Sequence, residues 1–527
     1  MPRQDMRGSQ DEGKQILLCL ACSPDKEELF GQITQLFNSL QFRLDEQYVV
    51  AVEVVPEDNQ QLVESAIEGK YEIVCPDSTV WAEQIETKWQ QIYGPETSFV
   101  DEVAIFAVSP LVIAMRPSSA LRLGYPDKPI GWSEILKEAQ ENPEFRWAHP
   151  HIRSTAGLLT AYAEFYVAAG KPGEFSQEHI QNSEVINFVR GLEQRVQQYG
   201  PSEREIISHA IREGEWFLDA FVAQERLILS SFREIPRSNH PVIIYPKEGA
   251  VWIDHPLILL SHEGFSSAAR RAYIIFRDYL LSANVQSLLN LEGFHAAGPY
   301  IRSYFSAPPV SLMLSEKLYA SSAPVFHSIS ASVLSSIAEN WYTAKHRAAV
   351  YLLIDISGSM AGEKLQEAKM GLQAFLNEFG SLDDAVGLIT FESSVAEVVP
   401  MEPLSRNLST LEYAISNLSA HRNTAMLDAL SMAYDRLHHY YPGDPIRAII
   451  IMTDGLENAS KIGVNQLKDK IISGNNTEFP VAIFGLAYGQ DADLALLNNL
   501  SNVTGGSAMR GTPANIQIVY RRMSTFV

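Results

Sequence analysis

The 527-residue chain has little cysteine: only Cys19, Cys22 and Cys75. So small and odd a number excludes a disulfide framework. No stretch reaches the ~18 consecutive apolar residues that a spanning helix needs. Basic runs are absent and the formal net charge is −22, which argues against non-specific binding to nucleic acid or anionic membranes. There is no G-x-x-x-x-G-K-[ST] phosphate loop, so the chain is not itself a P-loop ATPase. No zinc motif and no nucleophile–base pair occurs. His438 and His439 are adjacent rather than i, i+4, and His149 and His151 flank Pro150 as turn residues. The chain is therefore expected not to be an enzyme.

What is present is ordinary globular composition, 46% hydrophobic and 20% charged, in a length that suits roughly three to four domains. The most informative residues lie late in the chain. They are Asp355, Ser357 and Ser359 in the run Ile354-Asp-Ile-Ser-Gly-Ser-Met360, then Thr424, then Asp454 in Met452-Thr-Asp-Gly455. Ala348 to Ile354 reads as a buried parallel strand. Lys364 to Phe379 follows with apolar residues at helical spacing. Arg447 to Thr453 is a second buried strand, ending at an aspartate, and Thr424 opens the helical stretch Ala425 to Leu437. In an open α/β sheet, ligands bind outside the carboxyl ends of the strands, and three loops meet there. Serines and aspartates after strands also serve as helix caps and turn formers. Here all five occur together, each at a strand end or helix start. An oxygen-only set of two carboxylates and three hydroxyls favours Mg²⁺, or Mn²⁺ or Ca²⁺, over zinc or copper. It only just neutralises a divalent ion and leaves a position for a carboxylate from a protein partner.

This pattern resembles the von Willebrand factor A domain and its metal-ion-dependent adhesion site (MIDAS). Asp355, Ser357 and Ser359 match the family's D-x-S-x-S, Thr424 its threonine and Asp454 its second aspartate. The resemblance covers about residues 346 to 527, with Gly387 to Phe391 as an internal strand. Val481 to Leu486 and Asp491 to Leu500 stand as the last strand and helix. Where family members often carry a glycine pair before the threonine, this chain has Arg422-Asn423, and asparagine tolerates left-handed backbone.

The first three hundred residues alternate strands and helices, which argues for a parallel or mixed sheet with helices on both faces. Ile16 to Cys22 is an apolar run of seven residues, read as a buried strand lined with small residues rather than a redox pair or a lipoprotein anchor. Ser23-Pro24-Asp25 follows as an N-cap with proline at the first helical position, leading into a helix from Glu28 to Leu40. Tyr71 to Val74 leads through Pro76-Asp-Ser-Thr79 into a second helix. Ile105 to Met115 is apolar and broken by Ser109-Pro110. Arg153 to Gly157 opens a third helix, running to Tyr166. The recurring device is a strand, a Ser/Thr turn and a helix N-terminus, whose free N–H groups suit a polar or anionic ligand. The same residues cap helices equally well. Candidate ligand contacts are Ser23, Ser78, Thr79, Ser109, Ser154, Thr155 and Trp252. Arg116, Arg153 and Lys247 read as surface charges, and Trp132 as core.

Residues 15 to 305 resemble the bacterial type 2 periplasmic solute-binding proteins. The resemblance is carried by Val108 to Ala114, Lys128 to Trp132, Trp147 to Pro150 with Arg153 to Gly157, Tyr245 to Gly249, Ala272 to Phe276 and Gly293-Phe294. It implies an α/β fold of two lobes with a small solute between them: lobe one at 15–112 and 226–305, lobe two at 113–225. The expected organisation is then a tail at 1–14, the lobes, a linker with a connecting helix at 306–345, and a Rossmann-like A domain at 346–527. Prolines at Ser306 to Pro309 and Ser321 to Pro324 punctuate the linker, and the modules are expected to fold independently. The family places the protein outside the cytoplasm, in the periplasm or at the cell surface, although Met1 to Gln15 carries no clear signal peptide. The function implied is a non-enzymatic bacterial binding protein that couples solute binding to metal-dependent protein recognition. The alternative is an accessory subunit of an AAA+ ATPase or metal-chelatase-type complex.

Overall fold

The computed structural model describes residues 15–212, 215–261, 266–296, 331–420, 424–440, 444–475, 480–513 and 515–527. The tail, the two proline clusters of the linker and the Arg422-Asn423 pair lie outside them. No helix among the described residues is long and apolar enough to cross a membrane. The chain forms two compact units. The first takes the described residues within 15–112, 224–234 and 249–332. The second takes those within 113–223, 235–248 and 333–527.

In the first unit the strands run in the order Arg43–Leu44, Tyr48–Pro56, Gln15–Cys22, Ile73–Cys75, Trp252–Leu260 and Val100–Met115. Gln15–Cys22 is parallel to both Tyr48–Pro56 and Ile73–Cys75. Trp252–Leu260 is antiparallel to both of its neighbours. Period-two alternation sends side chains to two separate cores. Leu18, Leu20, Cys22, Ile73, Cys75, Leu257 and Leu259 pack with Phe30, Phe37 and Phe276 on one face. Ala21, Val74, Ile258 and Leu260 pack with Leu62, Trp81 and Ile85 on the other. Both faces are covered by helices, which is why the strands read as nearly continuous apolar runs. Ser109-Pro110 does not break its strand, which runs unbroken from Val100 to Met115. Pro110 needs no ladder donor there because its neighbour Leu111 supplies one, to Val251 O at 2.8 Å.

The second unit holds lobe-two elements and the A-domain sheet. The latter has six strands in the order Val395–Pro403, Ala385–Phe391, Ala348–Asp355, Ile446–Thr453, Val481–Tyr488 and Ala508–Gly511. All pairs are parallel except the first, which is a hairpin. One face carries Met426, Leu430, Ala433 and Leu437 of the helix Met426–His438 against Tyr351, Leu353, Ile449 and Ile451. On another side, the helices Glu363–Asn377 and Ile516–Ser524 approach closely at Gly371, where a Cβ would lie 2.5 Å from the Tyr520 ring.

The sequence led us to expect the solute-binding residues 15–305 and the A domain as independent modules; the structure groups lobe-two elements with the A domain in one unit, and a buried polar knot joins them. Glu193 is fully buried and accepts from His149 Nε2 at 3.2 Å, Tyr199 Oη at 2.6 Å and Trp341 Nε1 at 2.6 Å. Trp341 lies on the helix Ala331–Ala344, the connecting helix expected from Ile329 onward. Its ring sits edge-on to His151 and Tyr199, with centroids 5.2 and 5.1 Å away. His346 then bonds Val196 O at 2.8 Å, and Arg153 pairs with Glu378. His149 and His151 are thus buried core residues, not exposed turn residues.

Replacing a large, fully buried aromatic ring leaves a cavity as well as lost transfer energy. Trp341→Ala is expected to destabilise this unit by about 3–5 kcal/mol. Trp341→Phe, which keeps a smaller aromatic ring but removes the donor to Glu193, should cost about 1–3 kcal/mol. Urea unfolding followed by circular dichroism reads both, and an unshifted midpoint in the alanine variant would remove Trp341 from the core.

Candidate functional site

The A-domain crevice forms where Ala348–Asp355 and Ile446–Thr453 end side by side. Asp355 is the last residue of its strand and fully buried. Its Oδ1 accepts from the Ser357 amide at 2.8 Å and its Oδ2 from Thr453 Oγ1 at 2.6 Å. Ser357 Oγ lies 3.1 Å from Ser359 Oγ, and Ser359 Oγ donates to Asp454 Oδ1 at 2.7 Å. A Cβ built on Gly455 would stand 3.4 Å from Thr424 Oγ1 and 3.9 Å from Ser359 Oγ, so the threonine faces the same small volume. The structure therefore brings all five sequence-expected residues together.

Their supports were not read from the sequence. Thr424 is held by a two-way exchange with Asn458: its amide donates to Asn458 Oδ1 at 3.1 Å, and its carbonyl accepts from Asn458 N at 3.2 Å. Glu457 accepts from Leu427 N at 3.0 Å and Ser460 N at 2.7 Å, fastening the same loop to the N-terminus of the helix Met426–His438. Lys364 donates to the other Asp454 oxygen. Thr453 and Lys364 flank the motif residues, but nothing local says which way they point.

Two carboxylates face each other here with one lysine between them and the solvent. Burial pushes the Asp355 carboxyl above its usual range; hydrogen bonds from Thr453 and Ser357 pull the other way, and Asp454 adds repulsion. A hard cation relieves both effects, so the donor set fits Mg²⁺. By contrast, His149, Glu164 and Glu193 also offer ligand atoms within 4.8 Å of one another. Glu193, however, already accepts from three donors. Burial, with the charge of Glu193 beside it, raises the Glu164 carboxyl well above its normal range. That trio is a polar core.

The candidate solute contacts divide between the two units. In the first, Ser23 Oγ donates to Asp77 Oδ1 at 2.5 Å, and it makes no side-chain cap. Lys26, fully buried, donates to Pro76 O at 2.7 Å and lies 3.5 Å from Asp77. Asn59 Nδ2 reaches the second Asp77 oxygen at 2.8 Å. Burial alone would raise the Asp77 pKa, but Lys26, Ser23 and Asn59 more than offset it and the net direction is downward. Ser78 Oγ donates to Asp254 at 2.6 Å, and Thr79 donates to the same carboxylate through its amide and hydroxyl. Ser109 Oγ accepts from the Arg226 amide at 3.3 Å. Trp252 packs edge-on to His295, with centroids 5.4 Å apart. In the second unit, Ser154 caps the helix Thr155–Ala168 through Gly157 N at 3.0 Å, and Thr155 is buried. Of the basic residues, Arg153 is tied to Glu378 and Lys247 to Glu134. Asp77, Lys26, Asn59, Asp254 and Arg226 were missed, since their partners lie far away in sequence.

A largely parallel sheet whose strands end in a crevice of carboxylates and hydroxyls, together with mixed-sheet lobes, supports a binding and adhesion-type protein. Residues 20–295, more than half of the chain, match the family described as bacterial extracellular solute-binding protein, and the chain belongs to that family. Residues 350–457 match the von Willebrand factor type A domain. Among curated proteins, inter-alpha-trypsin inhibitor heavy chain H4 of Sus scrofa is 25% identical over 169 residues, 31% of this chain and 18% of that protein. The chain thus spans about a fifth of the length of the curated relatives it matches. Among solved structures, the sulfate-binding protein SubI from Mycobacterium tuberculosis H37Rv is 16% identical, covering 56% of this chain and 93% of that one with a TM-score of 0.40. A von Willebrand factor type A protein from Catenulispora acidiphila is 19% identical, covering 34% and 42%, with a TM-score of 0.30.

His255 gives the first unit a measurable pH response. It is fully buried, its Nε2 faces Gln224 Oε1 at 2.9 Å, and burial, then Lys26 and Arg226, hold its pKa well below the ordinary 6.5. The folded chain keeps it neutral while the unfolded chain protonates it near pH 6.5. Stability from this residue is therefore full above that pH and lost on acidification. His255→Gln is expected to flatten the fall in stability between pH 7 and pH 5 by up to about 1.4 kcal/mol per pH unit. Parallel denaturation series for the two proteins would show this, and superimposable slopes would contradict it.

Proposed function

We propose that the chain is an extracytoplasmic, non-enzymatic binding protein. Its solute-binding lobes take a small solute, and its A domain grips a protein partner through a divalent cation, Mg²⁺ first. The observation that carries the reading is the continuous hydrogen-bonded path Asp355–Ser357–Ser359–Asp454, with Thr424 facing it. Those five residues would hold the ion. When bound, it would supply an electrophilic position for a carboxylate on the partner. The protein's own groups do the rest. Thr453 and the Ser357 amide fix both Asp355 oxygens. The Asn458 and Glu457 contacts hold the threonine loop. Lys364 serves Asp454 as an internal counter-charge whose repulsion an entering cation would have to overcome.

Titration calorimetry with MgCl₂ tests this. The wild-type chain is expected to bind weakly, and Asp355→Ala and Asp454→Ala to lose binding with an unchanged circular-dichroism spectrum. Lys364→Ala is expected to bind Mg²⁺ up to about fivefold more tightly, the value of a half-exposed ion pair. Equal affinity in wild type and Asp355→Ala would overturn the assignment.

A further inference from the structure

Among the described residues, the first unit contains a buried cation with no salt-bridge partner. Arg226 is only 4% exposed. Its Nε donates to Gln224 Oε1 at 3.1 Å, and its guanidinium carbon lies 4.6 Å from the centre of the Phe294 ring. Both partners are neutral. Its Nη2 is buried and has no hydrogen-bond partner among the described residues. Neighbouring carboxylates are committed elsewhere. Glu225 accepts from His295 at 2.6 Å, Asp77 serves Ser23, Asn59 and Lys26, and Asp254 serves Ser78 and Thr79. The Arg226 charge also reaches Asp77 and His255, so Lys26 and Arg226, two buried cations, share one buried carboxylate.

Isolated buried charges are among the most costly features a fold can keep, and they persist where something pairs them. The backbone is shaped to keep this one. Gly293 has φ +83°, and a Cβ on it would lie 2.8 Å from the Arg226 Cα, so the chain beside Phe294 presses onto the arginine. Ser109 supplies a second donor. Its oxygen already accepts the Arg226 amide, which leaves its own hydroxyl proton free to give.

We infer that the solute is an anion bound by the first unit, with an oxyanion group (sulfate, phosphate or carboxylate) paired to Arg226 Nη2 and the Ser109 hydroxyl. This rests on the solute-binding reading and narrows its ligand class. A planar guanidinium presents two N–H groups to two oxygens of such a group, where an ammonium presents only a point charge.

The test is calorimetry and thermal shift on the full chain at constant ionic strength. Sodium sulfate, sodium phosphate, sodium malate and neutral glucose and maltose are the probes. At least one oxyanion is expected to bind, with affinity falling tenfold or more in Arg226→Gln, less in Arg226→Lys and by several-fold in Ser109→Ala. The three arms of oxyanion separate sulfate, phosphate and carboxylate as the group recognised. Binding of a neutral sugar with none of the oxyanions would overturn the anion assignment while leaving the solute-binding reading intact. No binding by any probe would count against both. Oxyanion binding that is equal in wild type and Arg226→Gln, with both proteins folded by circular dichroism, would place the anion elsewhere and overturn the role of Arg226.

Discussion

One buried carboxylate, that of Glu193, organises the second unit. A desolvated charge is tolerated only when its lone pairs are taken up, and here three donors from three places in the chain converge on it: His149, Tyr199 and Trp341. Trp341 comes from the helix that leads into the first A-domain strand, so satisfying Glu193 requires that helix to dock. Burial and the charge of Glu193 push the Glu164 carboxyl alongside it well above its normal range. Docking is thus favoured by chemistry that weakens when any donor is withdrawn.

Both units place polar groups where strands end, but they settle the charge differently. In the first, Asp77 meets a cation from within, Lys26, together with donors from Ser23 and Asn59, and Asp254 accepts hydrogen bonds from Ser78 and Thr79. The serines that looked like helix caps are there to hold carboxylates. In the A domain, Asp355 and Asp454 meet mainly hydroxyls, with a single lysine on one outer oxygen. Carboxylates with internal cations need nothing more; carboxylates facing neutral oxygens still have room for a cation. Arg226 is the mirror case, a cation that its own neighbours leave uncompensated.

Much of the fold was legible because burial on both sheet faces leaves unmistakable apolar runs. Gln15–Cys22, Ala348–Asp355 and Ile446–Thr453 all appear within a residue or two of where their composition puts them. Four of the crevice residues were legible because they end or follow such a run, and Thr424 because it opens a helix. The four-residue strand Ala508–Gly511 and the half-exposed hairpin strand Val395–Pro403 were not, since neither buries enough to leave a pattern. The contacts that decide chemistry were also hidden. Ser23 meets Asp77 across 54 positions and Trp341 meets Glu193 across 148, and no local spacing encodes a pairing of that range. Arg226, in the short helix Glu225–Ser231, reads like any surface arginine until its burial is known.

His346 adds a mechanical aspect to the connection. Its two ring nitrogens face Val196 O at 2.8 Å and Asp444 O at 2.6 Å, and two residues later the strand that ends at Asp355 begins. Tension applied at the crevice would run down that strand, whose full length is bonded on both sides, and arrive at His346 and then Trp341. The hydrogen bonds between parallel strands lie across such a pull and would be loaded together, in shear. The weak link under force would then be the histidine and tryptophan anchorage in lobe two, and the A-domain sheet would be the last part to yield.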